Sequence, residues 1–172
     1  MAFTFIVETG LGIANANSYV TVEEADDYMA SNIHGRDAWN ALDVEDKQHL
    51  LVWSTRFIDQ RAIWNGYKSS AGNSLRWPRS GVYDRDKYYV DDFSIPTPVK
   101  QAVVELAAYL LVADPNVTQG SDGLSKLKVD VIELTFNGNQ KLSQFPLSIA
   151  MILDGLGVLR SGNGGHAKIL RA

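Results

Sequence analysis

The chain has 172 residues, 45% of them hydrophobic and 21% charged, with a formal net charge of −4 and no cysteine. That size and balance fit one ordinary globular domain with a sizeable core, and they exclude disulfide staples, thiolate metal sites and cysteine nucleophiles. No apolar run nears the roughly 20 residues that span a bilayer, and the start lacks the basic region of a signal peptide, so a soluble, non-secreted protein with no membrane partner is expected.

The chain opens on a strand-like segment to Glu8, followed by a glycine and asparagine turn over Gly10 to Asn17. Thr21-Val22-Glu23-Glu24 has the form of a capping box, in which Thr21 accepts from the Glu24 amide while Glu24 reaches back. It predicts a helix with Val22, Ala25, Tyr28 and Met29 on one face, ending between Ser31 and Gly35. A second helix is expected after Asp43, with Leu50, Trp53 and Phe57 as its apolar stripe and Leu51 and Ile58 beside it. Arg56, Asp59 and Arg61 lie off that stripe and read as a solvated face. From Trp64 to Pro98, Gly66, Gly72, Gly81, Pro78, Pro96 and Pro98 break the chain repeatedly, which predicts a long irregular loop of the kind that tends to carry function.

A third helix is expected from Pro98 to Ala113, with Thr97 before it and Val99, Val103, Leu106, Ala107, Leu110 and Leu111 facing the core. Lys126 to Phe136 alternates as a strand with one bulge, and Asn137-Gly138 is the hairpin signal, so a small β-hairpin is placed near 126–142. A last helix from Pro146 to Leu156 presents Ile149, Ile152, Leu153 and Leu156. The expected fold is therefore mainly α: a bundle of about four helices over 1–158, with a long irregular loop and a small hairpin. Residues 159–172 form a glycine-rich linker and an extended C-terminal tail, Ala167-Lys168-Ile169-Leu170-Arg171-Ala172.

Charge is unevenly distributed. Residues 1–50 hold nine acids against two bases, and residues 51–100 hold eight bases against five acids. A dedicated phosphate binder usually carries a positive surplus, so the acidic total weighs against nucleic acid as the main ligand. His34, His49 and His166 have no metal-ligand spacing, and the Gly10-Leu11-Gly12 and Gly162-to-Gly165 stretches lack the lysine and hydroxyl of a phosphate loop. Adjacent acids such as Asp26-Asp27 and Asp91-Asp92 have no base, nucleophile or metal partner. No catalytic residue, metal or cofactor is expected.

One constellation stands apart. Arg76, Arg79, Arg85 and Lys87 interleave with Trp77, Tyr83, Tyr88 and Tyr89. Cations beside aromatic rings suit single-stranded nucleic acid, and they equally suit a protein interface, where Trp, Tyr and Arg are the usual anchors. They also suit a purely structural loop, with Trp77 plugging the core and the arginines capping helix carbonyls.

The opening stretch Glu8 to Tyr28 resembles that of a family of small tailed-bacteriophage proteins. So do Leu75-Arg76-Trp77-Pro78-Arg79-Ser80-Gly81-Val82-Tyr83-Asp84, Ile95-Pro96-Thr97-Pro98 through Ala107, and the short basic-apolar finish. The family is described either as head–tail connectors (adaptors) or as DnaT-like single-stranded-DNA-binding proteins. The first description implies a structural protein of the virion neck, made in the host cytoplasm. It would form a ring, commonly dodecameric, beneath the portal, join capsid to tail and extend the DNA channel. By that resemblance the tail residues Lys168, Ile169, Leu170 and Arg171 dock on the portal protein. Arg76, Trp77, Arg79, Tyr83, Arg85, Tyr88 and Tyr89 meet a neighbouring subunit or a tail or neck protein, and double-stranded DNA passes in transient contact. Single-stranded-DNA binding is the alternative.

Overall fold

The computed structural model describes residues 3–111, 126–129, 132–135 and 146–159, the two short internal pieces by their backbone alone. Five helices and three two-stranded antiparallel ribbons make up these residues, so the fold is mainly α. Helix α1, Val22–Ala30, starts on the expected capping box, with the Glu24 N–H on the Thr21 hydroxyl and the Thr21 N–H on the Glu24 carboxylate. A short α2, Arg36–Asn40, follows where the sequence offered no helical periodicity. It exists because Asn32 turns the chain, accepting from the His34 and Gly35 N–H groups, and because Trp39 is driven into the core.

Helix α3, Val44–Arg61, is capped by the Asp43 carboxylate on the Asp46 N–H. Its buried residues include Leu51, Ser54, Thr55 and Ile58, a spacing that marks the inward face, with Phe57 beside them. The expected stripe through Trp53 is thereby corrected. Trp53 is off this face and 44% exposed, and Leu50 is only half-buried. Helix α4, Thr97–Leu110, packs along α3. Pro96 is its cap and Pro98 sits in its first turn, so it starts one residue earlier than the Thr97-Pro98 signal placed it. Val99, Ala102, Val103, Val104, Leu106 and Ala107 are buried and Ala108 to Leu110 half-buried, which leaves the helix little solvent face beyond Thr97 at its start.

The short strand β1, Ala62–Trp64, leaves α3 directly and β2 is Tyr67–Lys68, paired with β3, Arg79–Ser80. Strands β4, Lys126–Val129, and β5, Ile132–Thr135, pair with Val129 opposite Ile132. The chain therefore reverses between those two residues, and the single bulged strand expected over Lys126 to Phe136 is two strands. The Asn137-Gly138 turn lies outside the described residues. Helix α5, Leu147–Ile152, packs on α4, burying Ile149, with Leu153 and Leu156 buried in the turn after it. Strand β6, Gly157–Leu159, then pairs antiparallel with β1, Leu159 opposite Ala62. Leu159, expected in the linker, is thus the end of a strand. Among the described residues no helix is long and apolar enough to cross a membrane.

Candidate interaction surface

The segment between α3 and α4 is irregular for most of its length, as its glycines and prolines dictate, but it is firmly tied down. Trp77 is fully buried and meets Trp64 edge to face, ring centres 5.7 Å apart. Its backbone N–H donates to the Tyr19 hydroxyl at 3.0 Å. That hydroxyl donates in turn to the Asp59 carboxylate, which also accepts the Arg76 N–H at 2.9 Å. Burial pushes the Asp59 carboxyl above its usual range, against the bonds from the Arg76 amide and Tyr19. Burial and the neighbouring Asp59 hold the Tyr19 phenol well above its own. Asp59 had read as part of a solvated face; it is instead the hinge-post of the loop.

Arg79 is also inside. Its guanidinium donates to the carbonyls of Asn65 at 2.7 Å, Gly66 at 2.7 Å and Arg76 at 3.1 Å, and the residue is buried. These are loop carbonyls, not helix ends. Gly66 turns the chain between β1 and β2 at φ +63°, and a Cβ there would lie 2.2 Å from the Ser80 carbonyl, so only glycine fits. Of the seven loop residues singled out from sequence, Trp77 and Arg79 therefore build the loop from within and present nothing to a partner. Arg76, Tyr83, Arg85, Tyr88 and Tyr89 are exposed.

Those five divide again. Val82 to Val90 forms a small hairpin, with the Val90 N–H on the Val82 carbonyl and the Asp84 N–H on the Tyr88 carbonyl. The Asp84 carboxylate collects the Asp86 and Tyr88 N–H groups at its tip. Tyr83 and Tyr89 are cross-strand partners whose rings meet edge to face, centres 5.4 Å apart. Tyr88 is 74% exposed and Tyr67 68%. Tyr67 lies along Gly81, whose N–H reaches the Tyr89 hydroxyl, so it borders the same aromatic face. Sequence reasoning missed Tyr67 and Phe93, both exposed; their only signal was an apolar ring with no helical or strand pattern to absorb it. Arg85 pairs loosely with Asp154 at 3.7 Å and rests against Gly155, which anchors the hairpin on the turn after α5.

The charge on this surface is carboxylate-rich. Between Gly81 and Phe93 stand Asp84, Asp86, Asp91 and Asp92 against Arg85 and Lys87. The Tyr89 hydroxyl is bonded to Asp92, and that bond raises its pKa from the usual tyrosine value. The Gly10–Gly12 turn is likewise spoken for, since the buried Glu8 carboxylate accepts the N–H groups of Gly10, Gly12 and Ile13 at 2.8–2.9 Å. An anion-binding nest is present there and its anion is the chain's own.

The family described as "Putative DnaT-like ssDNA binding protein" is matched over residues 3–172. The chain belongs to that family. No curated protein and no solved structure matches it. As a member of the DnaT-like family, the protein offers a tyrosine-rich hairpin on which Arg85 and Lys87 are the cations at the tip, and Arg76 stands exposed at its base. The tail residues Lys168, Ile169, Leu170 and Arg171 lie outside the described residues.

Proposed function

We propose that this DnaT-like protein is a structural component of a tailed-phage virion, a head–tail connector that forms a ring beneath the portal, joins capsid to tail and prolongs the DNA channel. The observation that carries this reading is the aromatic hairpin. Tyr67, Tyr83, Tyr88 and Tyr89 stand exposed on a scaffold held by Trp77, Arg79 and Asp59, and the surrounding charge is more acidic than basic. Rigid, exposed tyrosines are what protein interfaces use as anchors. A phosphate-tracking groove needs a run of free cations, and here Arg79 has given three donors to backbone carbonyls. The resemblance of Glu8 to Tyr28, Leu75 to Asp84 and Ile95 to Ala107 to phage connectors supports the same conclusion. In such a ring the hairpin meets a neighbouring subunit or a tail or neck protein, and the Lys168 to Arg171 tail docks on the portal. Many modest contacts then add through effective concentration. An acidic wall lets DNA slide past without sticking.

A second reading, single-stranded-DNA binding, rests on the family's description and on the same tyrosines, whose faces could stack on bases. Light scattering coupled to size exclusion, with and without purified portal, separates the two. The connector reading expects a ring, or a monomer that assembles on portal. A persistent monomer that ignores portal yet shifts on single-stranded DNA, with affinity falling steeply in salt, would replace it by the second reading.

A further inference from the structure

Helix α3 and the C-terminal end of α4 leave an apolar groove of about 580 Å³ between them, floored by Leu42, Leu50, Trp53, Leu110 and Leu111. One end is acidic: Asp43 caps α3, Glu45 and Asp46 occupy its first turn, and Asp46 lines the groove. Toward the other end the Arg56 guanidinium lies over the Trp53 ring, 5.8 Å from its centre. Phe3 and His49 close the rim, ring centres 4.2 Å apart. A large indole set among half-buried leucines favours an apolar cover.

We propose that the occupant of this groove is the chain's own C-terminal segment, Lys168-Ile169-Leu170-Arg171. Its chemistry suits the acidic end of the groove, where Arg171 follows the apolar pair Ile169-Leu170, and residues 160–172 contain no acid at all. Its point of departure is also right. Strand β6 ends at Leu159 opposite Ala62, immediately after α3. From Ala62 to Trp53 is about 14 Å along the helix axis, and crossing the helix's width of roughly 10 Å makes the straight path about 17 Å. Eight residues, 160–167, separate Leu159 from Lys168, and a chain of that length reaches at most about 30 Å. The groove is therefore within covalent reach of the tail, and an end tethered that close has an effective concentration on the order of millimolar. Ile169 and Leu170 then lie over Trp53 and Leu50, and Arg171 points on toward Asp46. The segment that leaves α4 after Leu111 is a poorer occupant, because its first charge is Asp114 and it has no cation before Lys126.

The consequence is an arm parked on its own subunit. Any partner that uses Ile169 and Leu170, a portal included, must first compete with the groove. The seat itself needs no portal, so its test stands apart from the connector reading.

The absence of cysteine makes the test clean in the full-length chain. Trp53→Cys with Leu170→Cys is oxidised mildly beside Tyr88→Cys with Leu170→Cys, and disulfides are followed by non-reducing electrophoresis and peptide mapping. The expected result is an intramolecular disulfide forming about tenfold faster in the groove pair than in the hairpin pair, and slowing when Ile169→Asp is added. His49→Cys with Leu170→Cys repeats the measurement at the rim should the Trp53 substitution disturb the fold. Equal rates in the two pairs, indifference to Ile169→Asp, or disulfides formed only between chains would each overturn the proposal, the last by making a second copy the occupant.

Discussion

The Tyr19 hydroxyl lies 2.8 Å from both carboxylate oxygens of Asp59. It also accepts the backbone N–H of Trp77, so one oxygen ties the N-terminal segment, α3 and the loop that carries the aromatic hairpin. Tyr19→Phe keeps the ring and removes the junction. It strands the buried Trp77 N–H and takes the hydroxyl donor from the Asp59 carboxylate, which keeps the Arg76 N–H, a loss of about 2 kcal/mol. The urea midpoint should fall accordingly with an unchanged slope; an unaltered midpoint would mean that water replaces the hydroxyl at no cost.

Asp59 also gives the protein a pH signature with an unusual sign. Its folded pKa is raised, chiefly by burial, above the unfolded value. Protonation therefore favours the native state. The contribution is fully present below the unfolded pKa and is lost as pH rises through the folded one. Between those two values, stability of the native protein relative to Asp59→Asn should increase as pH falls. Urea melts of both proteins across that window measure the difference directly, and a constant difference would show that Asp59 titrates normally.

Asp26 behaves oppositely. Burial raises its pKa, but the Lys47 ammonium at 2.8 Å and the Trp39 indole N–H at 2.6 Å outweigh it, and the net shift is downward. Its stabilisation is present above the unfolded pKa and is lost as pH falls through the folded value. Lys47 has a side chain only 10% exposed, so Asp26→Ala leaves a nearly buried ammonium unpaired. A loss of about 2 kcal/mol is expected, in line with charge-assisted bonds at a half-exposed site. Because α1, α2 and α3 all meet at this contact, thermal melting should shift as one cooperative transition; loss of α2 alone, seen as a second early transition, would contradict that.

How much of this was legible in the sequence depends on how far apart the partners stand. The capping box at Thr21 and Glu24 was readable because both halves sit within one turn. Trp53 was misplaced because apolar residues run around α3 on two sides, and what decides its buried face is the small hydroxyl pair Ser54 and Thr55, invisible to a hydrophobic stripe. Asp59 was unreadable, since its partners Tyr19 and Arg76 are 40 and 17 positions away. The β4–β5 reversal was hidden because the break in alternation at Val131-Ile132 reads equally as a bulge, and Asp130 has no glycine or asparagine beside it to complete a hairpin signal. The aromatic and basic cluster was legible as a set. Which members build the loop and which face outward is a matter of packing, and only the structure divides Trp77 and Arg79 from Tyr83, Tyr88 and Tyr89.

Arg79 provides a test of that division. A lysine keeps the charge but cannot reach the carbonyls of Asn65, Gly66 and Arg76 at once, because it lacks the planar fork. Arg79→Lys should destabilise by about 2 kcal/mol, since the carbonyls of Asn65, Gly66 and Arg76 lose charge-assisted donors. Arg85→Ala and Lys87→Ala, at exposed positions, should stay within about 0.5 kcal/mol of the parent. Denaturant titration of the three variants checks the ranking. If Arg79→Lys is neutral, the guanidinium is a free surface cation and the phosphate-binding reading regains ground.

The aromatic face itself is tested by removing rings that the fold does not use. Tyr88 is held through its backbone N–H on the Asp84 carboxylate, while its side chain is 74% exposed. Tyr67 pairs through its backbone with Ser80 and is 68% exposed. Tyr88→Ala and Tyr67→Ala should therefore melt within about 0.5 kcal/mol of the parent. If the rings anchor a protein partner, each deletion costs about 2 kcal/mol of association, roughly a 30-fold loss read by light scattering of the self-assembled or portal-bound species. If instead they stack on bases, the loss appears in titrations with single-stranded DNA at low salt, and assembly is untouched. Unchanged assembly and unchanged DNA affinity together would remove the hairpin from both readings, because no other role for these exposed rings would then be left to carry a functional claim.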